Sequence, residues 1–144
     1  MKKIFISSDH AGYKLKEAIK SYLSNKKLSF TDMGPYNDSR VDYPDFAHKV
    51  AKRVKLNKNN VGILVCGSGM GMNIVANKHK NIRAAQCFNL KSTKLSRLHN
   101  DANIITLGSR LLTKKMPSVV WVFFWTLILK VEDIQKELRK FNYV

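Results

Sequence analysis

A chain of 144 residues is about the size of one domain, and an apolar fraction of 44% supplies one sizeable core. The longest apolar stretch, VVWVFFWTLIL at residues 119–129, is too short to span a bilayer as a helix, and the opening MKKIFISSDHAG turns polar before the apolar core of a secretory signal could form, so a cytoplasmic location with no membrane partner is expected. The net charge of +16 comes from 26 Lys and Arg against 10 Asp and Glu and would attract polyanions, yet the lysines are spread along the chain, so a basic nucleic-acid-binding protein is the non-enzyme alternative and no specific nucleic acid is expected.

In chain order, KIFISS at residues 3–8 reads as a strand, and Tyr13 to Leu23 as a helix with Leu15, Ile19 and Leu23 on one face. Lys27 to Asp32 reads as a short strand. GPYNDSRVDYP, residues 34–44, is rich in turn residues and reads as a loop. A helix follows over Asp45 to Val54, with Phe46, Val50 and Val54 at helical spacing. Val61 to Cys66 is apolar throughout, as a strand buried on both faces would be. Met70 to Asn77 reads as a helix, Arg83 to Cys87 as a strand, Lys91 to His99 as a helix and Asn103 to Leu107 as a strand, with a last helix starting near Thr113.

Strands and helices that alternate in this way predict an α/β fold, a doubly wound sheet of five parallel strands with helices on both faces. In such sheets ligands bind outside the carboxyl ends of the strands. Those ends read SSDHAG, DMGPY, CGSGMG, CFN and LGSR. CGSGMG follows a strand and opens a helix, so its backbone N–H groups can converge on an oxyanion. It is neither a P-loop nor GxGxxG, and a tight turn that needs glycine reads equally well. Cys66 is either a small core residue at a strand end or a thiolate favoured by the helix N-terminus that follows. Neither Cys66 nor Cys87 lies in a CxxC pair, and His10, His48, His79 and His99 have no metal-ligand spacing, so neither a metal nor a cofactor is expected. LSRLHNDAN places His99 and Asn100 at a helix end, GSR places Arg110 after the fifth strand, and these groups are expected to converge on one edge of the sheet.

SSDHAG, VDYPDFA, LVCGSGMGMNIVANKHKNIRAA and KLSRLHNDANIITLGSR, in this order over roughly residues 1–113, resemble the type B ribose-5-phosphate isomerases of the ribose/galactose isomerase family. The resemblance implies a Rossmann-like fold, a homodimer or dimer of dimers with active sites at the interface, and metal-free interconversion of ribose 5-phosphate and ribulose 5-phosphate in the pentose phosphate pathway. Carried over by position, Cys66 would be the base that moves the proton between C1 and C2. His99 would be the acid that opens the sugar ring, with Ser68 near the shuttled proton. Asp9, His10 and Tyr43 would contact the sugar phosphate. Gly67, Ser68, Gly69, Met70 and Gly71 would hold the enediolate, and Asn100 and Arg110 would complete the site, some of these groups coming from the partner subunit. A six-carbon sugar phosphate, such as galactose or allose 6-phosphate, is the alternative substrate.

The resemblance breaks in the C-terminal segment, which is atypical from about residue 115–125 to residue 144. Family members continue with a segment like FLDTxFEGGRHxxRI, whose two arginines bind phosphate. Here the chain reads FFWTLILKVEDIQKELRKFNYV, with Asp133 and Glu137 where those arginines would fall. Residues 125–144, written in AT-rich codons and read one base earlier, become LDTNFEGGRHTKRIKKIQLC. A frameshift at or before Phe124, as early as Lys115, explains both strings, and it predicts weakened phosphate binding in an otherwise intact single domain spanning residues 1–144.

Overall fold

The computed structural model describes residues 3–112, together with 119, 120 and 123. The elements run β1 (Lys3–Ser8), α1 (Tyr13–Asn25), β2 (Phe30–Asp32), α2 (Tyr43–Val54), β3 (Asn60–Cys66), α3 (Met70–Ala76), β4 (Ala84–Gln86), α4 (Leu90–Asn100) and β5 (Ile104–Gly108). All five strands are parallel, in the order β2-β1-β3-β5-β4. This is the doubly wound α/β sheet that the alternation of elements predicts.

Burial explains why β3 lies at the centre. Every residue of NVGILVC is buried, and the strand pairs with β1 on one side and β5 on the other. Its side chains alternate between two cores, as pleating requires. Val61, Ile63 and Val65 join Ile19 and Leu23 of α1 on one face, with Val119, Val120 and Phe123 closing over them. Leu64 and Cys66 join Ala47, Val50 and Ala51 of α2 and Met72 of α3 on the other. Each fully buried Val, Ile or Leu contributes about 1.5–3 kcal/mol of hydrophobic stabilisation. Cys66 therefore sits on the α2–α3 face, at the carboxyl end of the central strand.

Most boundaries shift by one to three residues from the sequence reading, and three of the shifts have a clear local form. The strand at Lys27 shortens to Phe30–Asp32, because Lys27 adopts φ 55° and its N–H bonds the carbonyl of Ser24 to close α1. Helix α2 starts at Tyr43 rather than Asp45, because Pro44 occupies its first turn, where no intrahelical N–H is needed. Strand β4 contracts to three residues. The helix expected from Thr113 lies largely outside the described residues; Val119, Val120 and Phe123 are helical and buried. No helix among the described residues is long and apolar enough to cross a membrane.

Candidate active site

The strand order reverses between β1 and β3, since β2 lies outside β1 and β5 outside β3. Connections leave this point in opposite directions and open a crevice at the strand ends. Asp9 follows β1 there, and Cys66 ends β3. The two ends are tied together, with the Asp9 N–H donating to the Val65 carbonyl at 3.0 Å.

The chain turns sharply after Cys66. Gly69 takes φ +80°, a left-handed conformation open to glycine, and caps α3. Its N–H thereby points back at the Cys66 sulfur, 3.0 Å away. The Ser68 hydroxyl accepts the Met70 N–H at 3.2 Å. Gly67 is held by the segment after β5, where the Ser109 N–H donates to the Cys66 carbonyl at 2.8 Å and the Arg110 N–H to the Gly67 carbonyl at 3.0 Å. The Arg110 guanidinium lies over this turn, with its central carbon 3.3 Å from where a Gly67 side chain would begin. The Tyr43 ring covers the other end, 2.7 Å from the corresponding point on Gly71. Cys66, the 67–71 turn, Tyr43 and Arg110 thus form one constellation.

Asp9 is buried and accepts the Gly12 N–H at 2.7 Å, which fixes its carboxylate at the start of α1. His10 is exposed, and its Nδ1 lies 3.3 Å from the Val41 carbonyl and 3.4 Å from the Val41 N–H. Asp9, His10 and Tyr43 line a cleft of about 470 Å³ with Arg40, Asp42 and Asp45. The sequence reading passes over Arg40 because it stands in a loop of turn residues with no periodicity. Cys87 is a different thiol. It is buried in the opposite core, and burial pushes it above the ordinary thiol value against the hydrogen bonds of Thr93 and Ser96. Among the described residues no cluster of three His, Cys, Asp or Glu side chains is placed to hold a metal.

His99 and Asn100 do not join this group within one chain, contrary to the expectation of a single convergent edge. They end α4, and α4 must carry the chain back from the carboxyl end of β4 to the amino end of the parallel strand β5. Its C-terminus therefore lies at the edge of the sheet opposite Cys66. Both residues are exposed there. A crossover helix runs antiparallel to its strands, so a helix end and a strand end that follow each other closely in sequence can lie on opposite edges.

The fold is that of a sugar-phosphate isomerase: the ribose/galactose isomerase family model matches residues 4–140, and the chain belongs to that family. It is 39% identical over 120 residues to ribose-5-phosphate isomerase B of Escherichia coli, covering 83% of this chain and 80% of that one. It is 46% identical over 107 residues to the ribose-5-P isomerase B of Listeria innocua, covering 74% and 72%. A crystal structure of ribose-5-phosphate isomerase B from Mycoplasma genitalium with bound ribulose-5-phosphate superposes with a TM-score of 0.87 at 40% identity, covering 96% of this chain and 93% of that one.

Proposed function

We propose that this chain interconverts ribose 5-phosphate and ribulose 5-phosphate. The observation that carries the reading is the Cys66 sulfur at the topological switch point, facing the amide of a glycine turn at 3.0 Å. In the open-chain aldose the Cys66 thiolate takes the C2 proton, and the electron pair moves into the C1 carbonyl to give the enediolate. The N–H groups of the 67–71 turn face the developing oxyanion. Return of the proton to C1 as the C2 hydroxyl proton transfers between the two oxygens gives the ketose, with the Ser68 hydroxyl beside that transfer. Asp9, His10, Tyr43 and Arg110 hold the sugar phosphate, a cation being the natural partner of its dianion. His99 and Asn100 act from a second copy of the chain, so the working unit is a homodimer or a dimer of dimers in the cytoplasm. Two unpaired cysteines suit that reducing compartment.

Complementation tests the reading. Cys66→Ser and His99→Asn should each abolish isomerisation of ribose 5-phosphate. Co-expressed and allowed to mix, they should recover activity, because one site of a mixed dimer keeps both residues. Activity on galactose or allose 6-phosphate alone would move the substrate to six carbons. RNA binding with steep salt dependence and no isomerase activity would overturn the enzyme reading.

The tail supports a second proposal, that residues 1–144 form one domain whose C-terminal segment is frameshifted and whose phosphate anchor is missing. Asp133 and Glu137 would repel the dianion where arginines are expected. Without its arginine, each charge-assisted hydrogen bond to phosphate forfeits about 1.5–3 kcal/mol. A frame-restored tail should lower KM at least tenfold. Equal KM for both chains, or codons incompatible with the shifted reading, would overturn it.

A further inference from the structure

Gln86 is the last residue of β4, where its paired neighbour on β5 is Thr106. It is the one polar side chain in the strand, half-buried, and the isomerase reading gives it no part. Its Nε2 donates to the Ser68 carbonyl at 2.6 Å. That carbonyl belongs to the same peptide unit as the Gly69 N–H, which donates to the Cys66 sulfur at 3.0 Å. A trans peptide is planar, with its C=O and N–H pointing in opposite directions. A donor fixed on the carbonyl side therefore sets where the N–H points on the other. It also polarises the amide, because hydrogen bonds in a chain strengthen one another.

Backbone of β5 also packs against this peptide. A side chain at Gly108 would begin 2.6 Å from the Ser68 carbonyl oxygen, so β5 presses on that oxygen without donating to it. A side chain at Gly69 would begin 3.0 Å from the Leu107 carbonyl carbon and 3.3 Å from Gln86 Nε2. Asn73 braces the neighbouring helix turn from Thr106, at 3.2 Å. Within this packing Gln86 is the side-chain donor that engages the carbonyl.

We infer that Gln86 is a positioning residue for Cys66, holding and polarising the Ser68–Gly69 peptide so that its N–H supports the sulfur as a thiolate. The relay runs Gln86 Nε2–H to Ser68 C=O, then Gly69 N–H to Cys66 Sγ. The charged and titratable groups on the elements around the sulfur are Asp9 after β1, Arg110 after β5, and on α2 Tyr43 at its start followed by Asp45, His48, Lys49, Lys52 and Arg53; α3 and β4 supply none. The neutral substitution Gln86→Met adds no charge to this set, so its effect reports the peptide relay, whereas Gln86→Glu and Gln86→Lys also change the local charge.

The test is a thiolate titration by ultraviolet absorbance on the whole chain, with Cys66→Ser assigning the signal. Gln86→Met keeps the length and removes the donor. Its Cys66 titration midpoint should move up by about half a unit, equivalent to roughly threefold less thiolate at a given pH below the midpoint. Gln86→Glu has the right shape but, when ionised, no donor, and should move the midpoint the same way. Gln86→Lys keeps a donor of similar reach and should hold the midpoint at or below that of the parent. On ribose 5-phosphate, kcat should fall with the thiolate fraction while KM holds. An unmoved midpoint in Gln86→Met or Gln86→Glu, or an upward shift in Gln86→Lys equal to theirs, would overturn the inference. Only the kinetic arm rests on the proposed isomerase activity. Failure of that activity with the midpoint shifts intact would count against the enzyme reading and leave the relay standing.

Discussion

Lys16 is fully buried, although lysine is among the residues least often found inside. Its ammonium donates to Asp32 Oδ1 at 2.9 Å and Oδ2 at 2.8 Å, and to the Pro35 carbonyl at 2.9 Å. It also lies 3.0 Å from Glu17 Oε1. Lys16→Met keeps the volume and removes every donor. Asp32 would keep Lys20 at 2.7 Å and the Gly34 N–H at 2.9 Å, while the Pro35 carbonyl would lose this donor. Removing one partner of a buried ion pair costs about 3–5 kcal/mol, and the remaining partners of Asp32 place this case near the lower figure. That is a large share of the roughly 5–15 kcal/mol typical of a domain. Urea unfolding followed by circular dichroism should show a lower midpoint at an unchanged m-value. The effect should also depend on pH. Burial raises the Asp32 carboxyl, but hydrogen bonds from Lys16, Lys20 and the Gly34 N–H outweigh it and hold the group below the ordinary carboxylate range. A depressed folded value means that the stabilisation is complete above the unfolded value and lost as pH falls through the folded one. The gap between parent and variant should therefore close in acid. A loss under about 1 kcal/mol at neutral pH, or a gap independent of pH, would refute the reasoning.

Two further outcomes follow from other interactions. The His48 and His79 rings meet at 2.7 Å, Nδ1 to Nε2, and His79 is held below its ordinary 6.5 by burial first and then by His48, Lys55 and Lys52. The unfolded chain binds that proton more readily, so stability should decline as pH drops below 6.5, and His79→Asn should flatten the decline in pH-dependent melting; an unchanged slope refutes it. Asn89 caps α4, accepting the Ser92 N–H at 2.9 Å while the Ser92 hydroxyl accepts the Asn89 N–H at 3.2 Å. Asn89→Ala should cost about 1 kcal/mol in denaturant unfolding, and Ser92→Ala added to it should cost less than it does alone, since the two residues close one box.

Strands β1, β3 and β5 were legible because each holds an apolar run bounded by turn residues, and β3 most of all because burial on both faces leaves no polar interruption. The glycine turn after Cys66 could be read as a site for the same reason: nothing in a core strand calls for three closely spaced glycines beyond its end. Strand order was not legible. Nothing local in ILVCG or ITLGS says that β5 slots between β3 and β4, since that depends on which faces the helices cover. The edge on which His99 lies was missed because adjacency in sequence stood in for adjacency in space. Lys16 stands three and seven residues before Ile19 and Leu23, on the buried face of α1, and the partners that let a lysine sit there, Asp32 and Pro35, arrive from a distant strand and its turn. Gln86 left a faint signal, an amide inside the short run AAQC.

The two cores on either side of β3 divide the molecule's tolerance to change. Val119, Val120 and Phe123 close the face that holds Val61, Ile63 and Val65, whereas Cys66 belongs to the face covered by α2 and α3. The sheet is a partition between a layer that carries the thiol and a layer whose covering is apolar apart from the buried Lys16–Asp32 pair. A lineage, or an engineer, can rewrite the covering of the second layer while the thiol and its turn keep their shape, and can then supply a new anionic or cationic anchor as a separate part. Diversification of such a scaffold would proceed one side at a time.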